Sequence, residues 1–218
     1  WEHPEQGLIS PARFIPLIED SDLMEPVTRW VAQQAIRDLL ELQSVYPGFV
    51  ISINISGAAL HQPSTRDFLT DLIQSQHVPP HCLSIELTET SMIRHLEDCR
   101  ETLVQWKHAG ANIWIDDFGT GYSSLSYLHQ LPIDGLKIDR SFIRELRPES
   151  DHSLVQSIIT LARSMKLKTV AEGIETDSQL ACITELGSHY GQGFGLYRPM
   201  RYGSLKPLLE QQCTETSS

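Results

Sequence analysis

Short apolar runs rich in β-branched residues recur along the chain. Each closes on a polar residue and is followed by a stretch whose apolar positions return every three or four residues. The runs Phe49 to Ile55, Leu83 to Leu87, Ile113 to Ile115, Gly135 to Ile138, Lys168 to Ala171 and a weaker one from Tyr190 to Phe194 predict strands. The stretches Thr65 to Gln76, Met92 to Ala109, Leu154 to Met165 and Asp177 to Leu186 predict helices. Pro11 to Leu42 reads as two further helices, the second apolar along Val27, Trp30, Val31, Ala35, Leu39 and Leu40, with no clear strand before them. The polar tail from Gln211 to Ser218 is expected to fray, and no internal repeat is visible.

Strand alternating with helix implies a parallel sheet, because parallel neighbours need a crossover and a helix is the usual one. Polar residues then choose between an open sheet and a barrel. Asn54, Glu86, Asp116 with Asp117, Lys137, Glu172 and Gln192 each fall at or just past the C-terminal end of a predicted strand. An open sheet concentrates its site at one switch point, whereas every strand of a barrel ends at the same mouth. Six polar ends from six strands therefore predict an α/β barrel, in a single domain covering residues 1–218.

Composition narrows the chemistry. The chain has 218 residues, 40% hydrophobic and 21% charged, with no apolar run long enough to span a bilayer. A formal net charge of -11 argues against a polymer nucleic-acid binder, which needs clustered Lys and Arg, but leaves room for a phosphate ligand held through metal ions. Cys82, Cys99, Cys182 and Cys213 are widely spaced with no C-x-x-C pair, which predicts reduced, structural cysteines and a cytoplasmic setting. His61, His81, His95 and His129 sit in turn-like polar contexts that predict solvated surface, so no histidine is a candidate ligand. The chain opens on Trp1 without a basic and apolar leader, and reads as a piece of something longer.

One Asn, two isolated Glu and an Asp pair form an oxygen-only donor set suited to hard divalent cations, Mg2+ or Mn2+. An adjacent Asp pair alone is better explained by a turn or a helix cap. Carboxylates converging on one mouth would repel one another unless cations neutralised them. A two-metal site bridged by one carboxylate suits phosphodiester hydrolysis, with Asp116 as the bridge, Lys137 orienting water and Glu172 as ligand or general base. Lys137 lies inside an apolar strand, which predicts that it points into the barrel. The segment Phe118 to Leu125 reads as a mobile glycine-containing loop at the mouth, entering a helix capped by Ser123 or Ser124; it lacks the P-loop pattern.

The stretches Ile53-Asn-Ile-Ser56, Glu86-Leu-Thr-Glu-Thr90, Ile115-Asp-Asp-Phe-Gly-Thr-Gly-Tyr-Ser-Ser-Leu125, Leu131 to Phe142, Val170-Ala-Glu-Gly-Ile-Glu-Thr176 and Gln192-Gly-Phe194 resemble, in order and spacing, the motifs of the EAL family of cyclic di-GMP phosphodiesterases. The resemblance covers nearly the whole chain. It implies a modified TIM (β/α)8 barrel with one antiparallel strand, hydrolysis of cyclic di-GMP to linear pGpG in bacterial signalling, and two Mg2+ or Mn2+ ions. Carried over, Asn54, Glu86 and Asp116 would hold the first metal, and Asp116, Asp117 and Glu172 the second. Lys137 and Gln192 would position water, Glu89 would hold the loop that starts at Asp117, and Glu175 would support the acids from behind. Arg198 and Pro199 would contact a guanine base. The resemblance also implies a homodimer, and a C-terminal place after sensor or GGDEF domains in a longer chain with a possible membrane anchor.

The Glu-Ala-Leu stretch that names the family, with its metal-binding glutamate, would lie just before Trp1, so the first strand is expected to be truncated. Ala59 stands where many relatives carry Gln. Two competing readings accompany the enzyme: an inactive cyclic di-GMP receptor module, and an unrelated barrel lyase of enolase or aldolase type, which explains Lys137 and the acids but not the ordered motifs.

Overall fold

The structure, a computed structural model, describes residues 1–19, 21–89, 91, 96–121 and 128–216. Six parallel strands form one sheet in sequence order: β3 (Ile51–Asn54), β4 (Leu83–Thr88), β5 (Asn112–Phe118), β6 (Gly135–Ile138), β7 (Lys168–Glu172) and β8 (Tyr190–Gln192). A separate two-stranded hairpin, β1 (Glu2–His3) with β2 (Gly7–Leu8), precedes them and contains the antiparallel pairing found among the described residues. The strands predicted from periodicity all form, and β8 ends at Gln192 rather than Phe194.

Between the strands run α3 (Gly57–Leu60) with α4 (Pro63–Ser75), α5 (Leu96–Ala109), α6 (Arg140–Arg144) with α7 (Ser153–Ser164), and α8 (Asp177–Leu186). The hairpin is followed by α1 (Pro11–Ile18) and α2 (Met24–Gln43), and the last described helix is α9 (Tyr202–Thr216), so the polar tail is helical as far as Thr216 where fraying is expected. Its glutamines and glutamates are good helix formers. The predicted start of α5 at Met92 lies outside the described residues. Helix α8 is bounded by its own chemistry: Thr176 and Gln179 form a capping box, and Gly187 closes the end at φ 81°.

Side chains alternate across each strand. Leu83, Ile85 and Leu87 of β4, Ile113 and Ile115 of β5, and Leu136 and Ile138 of β6 join Ile36, Leu69, Leu103 and Ile159 of the helices in one core. The opposite face carries Glu86, Asp116, Lys137 and Glu172. Below them Trp114 lies over Gly135, where a Cβ would overlap the indole, and meets Tyr190 edge-on at 6.2 Å. Glycine at 135 thus lets a tryptophan fill the inner face beneath the charged layer.

Helix α2 corrects part of the predicted stripe: Leu39 is buried and Ala35 and Leu40 pack against the core, but Trp30 and Val31 do not. Its buried residues are Met24, Thr28, Ala32, Ile36, Leu39 and Leu42, whereas Trp30 is 65% exposed. Both stripes keep helical spacing; the buried one follows the sheet, which favours the smaller Ala32 and Ile36 for close approach over the bulk of Trp30.

Candidate active site

The site grows from one lysine. On β6, Lys137 Nζ lies 2.6 Å from Glu86 Oε2, 2.7 Å from Glu172 Oε1 and 3.0 Å from Asp116 Oδ1. Lys137 is 5% exposed and Glu86 7%. Charges survive such burial only when paired. Burial by itself lowers the proton affinity of an ammonium, but here Glu86, Glu172 and Asp116 outweigh it and raise the Lys137 pKa above the ordinary lysine value.

Asp116 and Asp117 are adjacent, and regular strand geometry sends neighbours to opposite faces. Two local features bring them together. The β5 to β6 pairing shifts register between Ile115 and Phe118, and Asp117 adopts a left-handed φ of 53°. That conformation is costly for a non-glycine residue and clusters at functional sites. Thr120 closes the turn, its Oγ1 donating to Asp117 O at 2.9 Å. As a result, carboxylate oxygens of Asp116, Asp117 and Glu172 lie within 4.8 Å of one another, close enough to hold a metal ion.

Proton affinities report the crowding. Asp117 is raised by burial and then by the neighbouring carboxylates of Asp116 and Asp139, against a lowering by Lys137. Glu172 is likewise raised by burial, only partly offset by Lys137. Four carboxylates, Glu86, Asp116, Asp117 and Glu172, face one ammonium. The surplus negative charge and the all-oxygen donor chemistry fit a hard divalent cation.

The other predicted residues divide into groups. Asn54 is the β3 register partner of Glu86, and Gln192 the β8 partner of Glu172, so both stand beside the acids. Glu89 is buried, and its Oε2 accepts from Gly119 N at 3.3 Å. Ser123 and Ser124 lie outside the described residues. Glu175 is exposed on the turn after β7, and its backbone N–H donates to Gln179 Oε1. Arg198 and Pro199 are exposed after β8, where the Arg198 guanidinium lies 5.2 Å from the centre of the Phe194 ring. Ala59 is buried in the core.

Cys82, Cys99 and Cys182 are buried. His61 is only half-buried, with Nδ1 3.9 Å from Cys99 Sγ, while His81 and His129 are exposed. A groove between α2 and α4, lined by Arg29, Phe68 and Leu72, lies on the outer helical layer and has no part in the site.

Asp139 also stands next to the site. It follows Lys137 by two positions, just past the end of β6. It caps α6 by accepting from Ser141 N at 2.9 Å, and it sits beside Asp117.

A family model described as the EAL domain matches residues 1–199. The chain belongs to the EAL domain family. Among curated relatives, this EAL domain is 41% identical over 202 residues to the bifunctional diguanylate cyclase/cyclic di-GMP phosphodiesterase MucR of Pseudomonas aeruginosa, covering 92% of this chain and 30% of MucR. It is 34% identical over 201 residues to the cyclic di-GMP phosphodiesterase PdeR of Escherichia coli, covering 92% of this chain and 30% of PdeR. The chain therefore spans less than a third of either relative. Among solved structures, the MucR phosphodiesterase in complex with cyclic di-GMP superposes with a TM-score of 0.88 at 40% identity, covering 94% of this chain and 84% of that one. The EAL enzyme Bd1971, in its cAMP and cyclic di-GMP bound form, matches with a TM-score of 0.88 at 36% identity, covering 96% and 58%. The six-stranded wall and the small hairpin are those of the modified TIM barrel of EAL structures.

Proposed function

We propose that this EAL domain hydrolyses cyclic di-GMP to the linear dinucleotide pGpG with two divalent ions, Mg2+ or Mn2+. The observation that carries the reading is the bridge from Lys137 to Glu86, Asp116 and Glu172, with Asp117 turned onto the same group. Degenerate receptor modules have no need to keep so many carboxylates in a buried cluster.

Asn54, Glu86 and Asp116 would hold one ion, and Asp116, Asp117 and Glu172 the other. Ions bound there would neutralise the phosphodiester and lower the pKa of water, making hydroxide available near neutral pH. Lys137 keeps its proton across the physiological range, so it orients water and offsets developing charge instead of acting as a base. Glu172, with its raised proton affinity, is the candidate general base. Gln192, beside Glu172, would hold the attacking water, and Glu89 would keep the loop beyond Asp117 in place. Glu175, and Arg198 with Pro199, are proposed as a supporting acid and guanine contacts.

The domain is proposed to act within a longer multidomain chain, as a homodimer, in the cytoplasm. Its share of about a third of its relatives supports the first point. Among the described residues no helix is long and apolar enough to cross a membrane. The test is turnover of cyclic di-GMP by the full-length protein with Mn2+ or Mg2+. Linear product from the native protein and none from Glu172→Gln is expected; a native protein that binds the dinucleotide without cleaving it would reject the enzyme reading in favour of a receptor.

A further inference from the structure

Helix α6 is only a turn and a half long, yet it touches both loops that carry the acids. It begins directly after Lys137 and Asp139. On one side the Phe142 ring lies against Gly119, two residues past Asp117: a Cβ at Gly119 would come within 2.9 Å of the ring. The backbone there has φ +96°, and Glu89 takes the Gly119 N–H from a second direction. The turn that holds Asp117 left-handed is therefore gripped between an aromatic ring and a carboxylate. On another side Arg140 packs on Gly173, the residue after Glu172, where a Cβ would lie 2.6 Å from the arginine Cβ.

The far end of α6 is tied by Gln179. This amide is 7% exposed. Its Oε1 accepts from Glu175 N at 2.8 Å and Thr176 N at 3.1 Å, while its Nε2 donates to Ile143 O at 3.2 Å and Arg144 O at 3.4 Å. Capping of α8 explains the Oε1 contacts alone. The Nε2 contacts reach the last carbonyls of α6, of which Ile143 O also accepts from Leu146 N, and join them to the loop that follows Glu172.

We propose that α6 is a strut that sets the spacing between Asp117 and Glu172, with Phe142 and Gln179 as its positioning residues. Carboxylates this close drive their loops apart before an ion binds, and a strut touching both loops opposes that spread. The proposal rests on the metal-dependent reading of the site and names side chains outside the ligand set.

The test is Mn2+ binding to the full-length protein, followed by electron paramagnetic resonance without substrate, beside turnover and thermal melting. Gln179→Glu keeps an acceptor for the α8 cap but cannot donate to α6. It and Phe142→Ala are expected to raise the half-saturating Mn2+ concentration about tenfold or more, the range for outer partners of metal ligands, with turnover recovering at high Mn2+. Phe142→Leu should recover part of the affinity. Leu69→Ala, a core change in α4, should lower the melting temperature and leave Mn2+ affinity unchanged. Variants that melt early yet bind Mn2+ like the native protein would overturn the strut. A native protein that binds no Mn2+ would overturn it together with the metal reading. Mn2+ binding without cleavage would remove the phosphodiesterase reading alone, and the affinity comparison would still decide the strut.

Discussion

Glu86 on β4 and Lys137 on β6 meet at 2.6 Å across the intervening strand β5. Two strand spacings are about 10 Å, so the contact requires long side chains converging over the inner face of the sheet. The same ammonium reaches Asp116 and Glu172 on the strands to either side. One cation thus gathers acids from three strands.

Replacing Lys137 by Met is expected to abolish turnover and to destabilise the metal-free protein. Removing one member of a buried ion pair typically costs about 3–5 kcal/mol, because its partners remain charged and unpaired. Urea unfolding in the presence of a chelator measures this; an unchanged midpoint would mean that water already solvates the acids.

The pH dependence of the metal-free protein follows from Asp117 and Glu172, whose proton affinities are raised in the folded state. A group raised on folding contributes stability that is complete below its unfolded pKa, here the ordinary values of 3.8 and 4.5, and is lost as pH climbs through the folded value. The contribution of these two residues should therefore decline as pH rises from about 4. Mn2+ binds the ionised forms, so its stabilising shift in melting temperature should be larger at pH 8 than at pH 5. Equal shifts at both pH values would contradict the assignment.

Gly135→Ala should be costly despite its small size. The added methyl overlaps Trp114, which cannot retreat without disturbing Tyr190. Overpacking of this kind costs about 1–3 kcal/mol. Since residue 135 shares a strand face with Lys137, cleavage should fall as well; a fully active, equally stable variant would show that the indole has room to move.

On α2, Ile36→Ala should cost about 2–5 kcal/mol, whereas Trp30→Ser should stay within about 0.5 kcal/mol. Chemical denaturation of the two variants compares the stripes directly. A large loss at Trp30 would indicate that this face is covered in the intact protein.

Much of this was legible because a strand buried on both faces is written as a continuous apolar run, and a polar residue at its end stands out. Lys137 is the clearest case: a lysine between Leu136 and Ile138 has few explanations other than a buried partner. Trp30 shows where pattern fails. Two stripes of α2 share helical spacing, and periodicity does not say which one meets the sheet. Asp139 shows a second limit, since an acid before a short helix looks like a cap whether or not it also lies beside Asp117.

The sequence by itself determined the strand and helix order, the parallel sheet and the identity of the acids, because these depend on local periodicity and on residues at strand ends. Only the tertiary structure decided that Asp116 and Asp117 point to one place, that Lys137 reaches Glu86 over β5, and that α6 touches both acid-bearing loops. Those outcomes depend on a register shift, a left-handed φ and contacts between residues distant in the chain. Such features arise from packing several elements together and leave no periodic trace in any one of them.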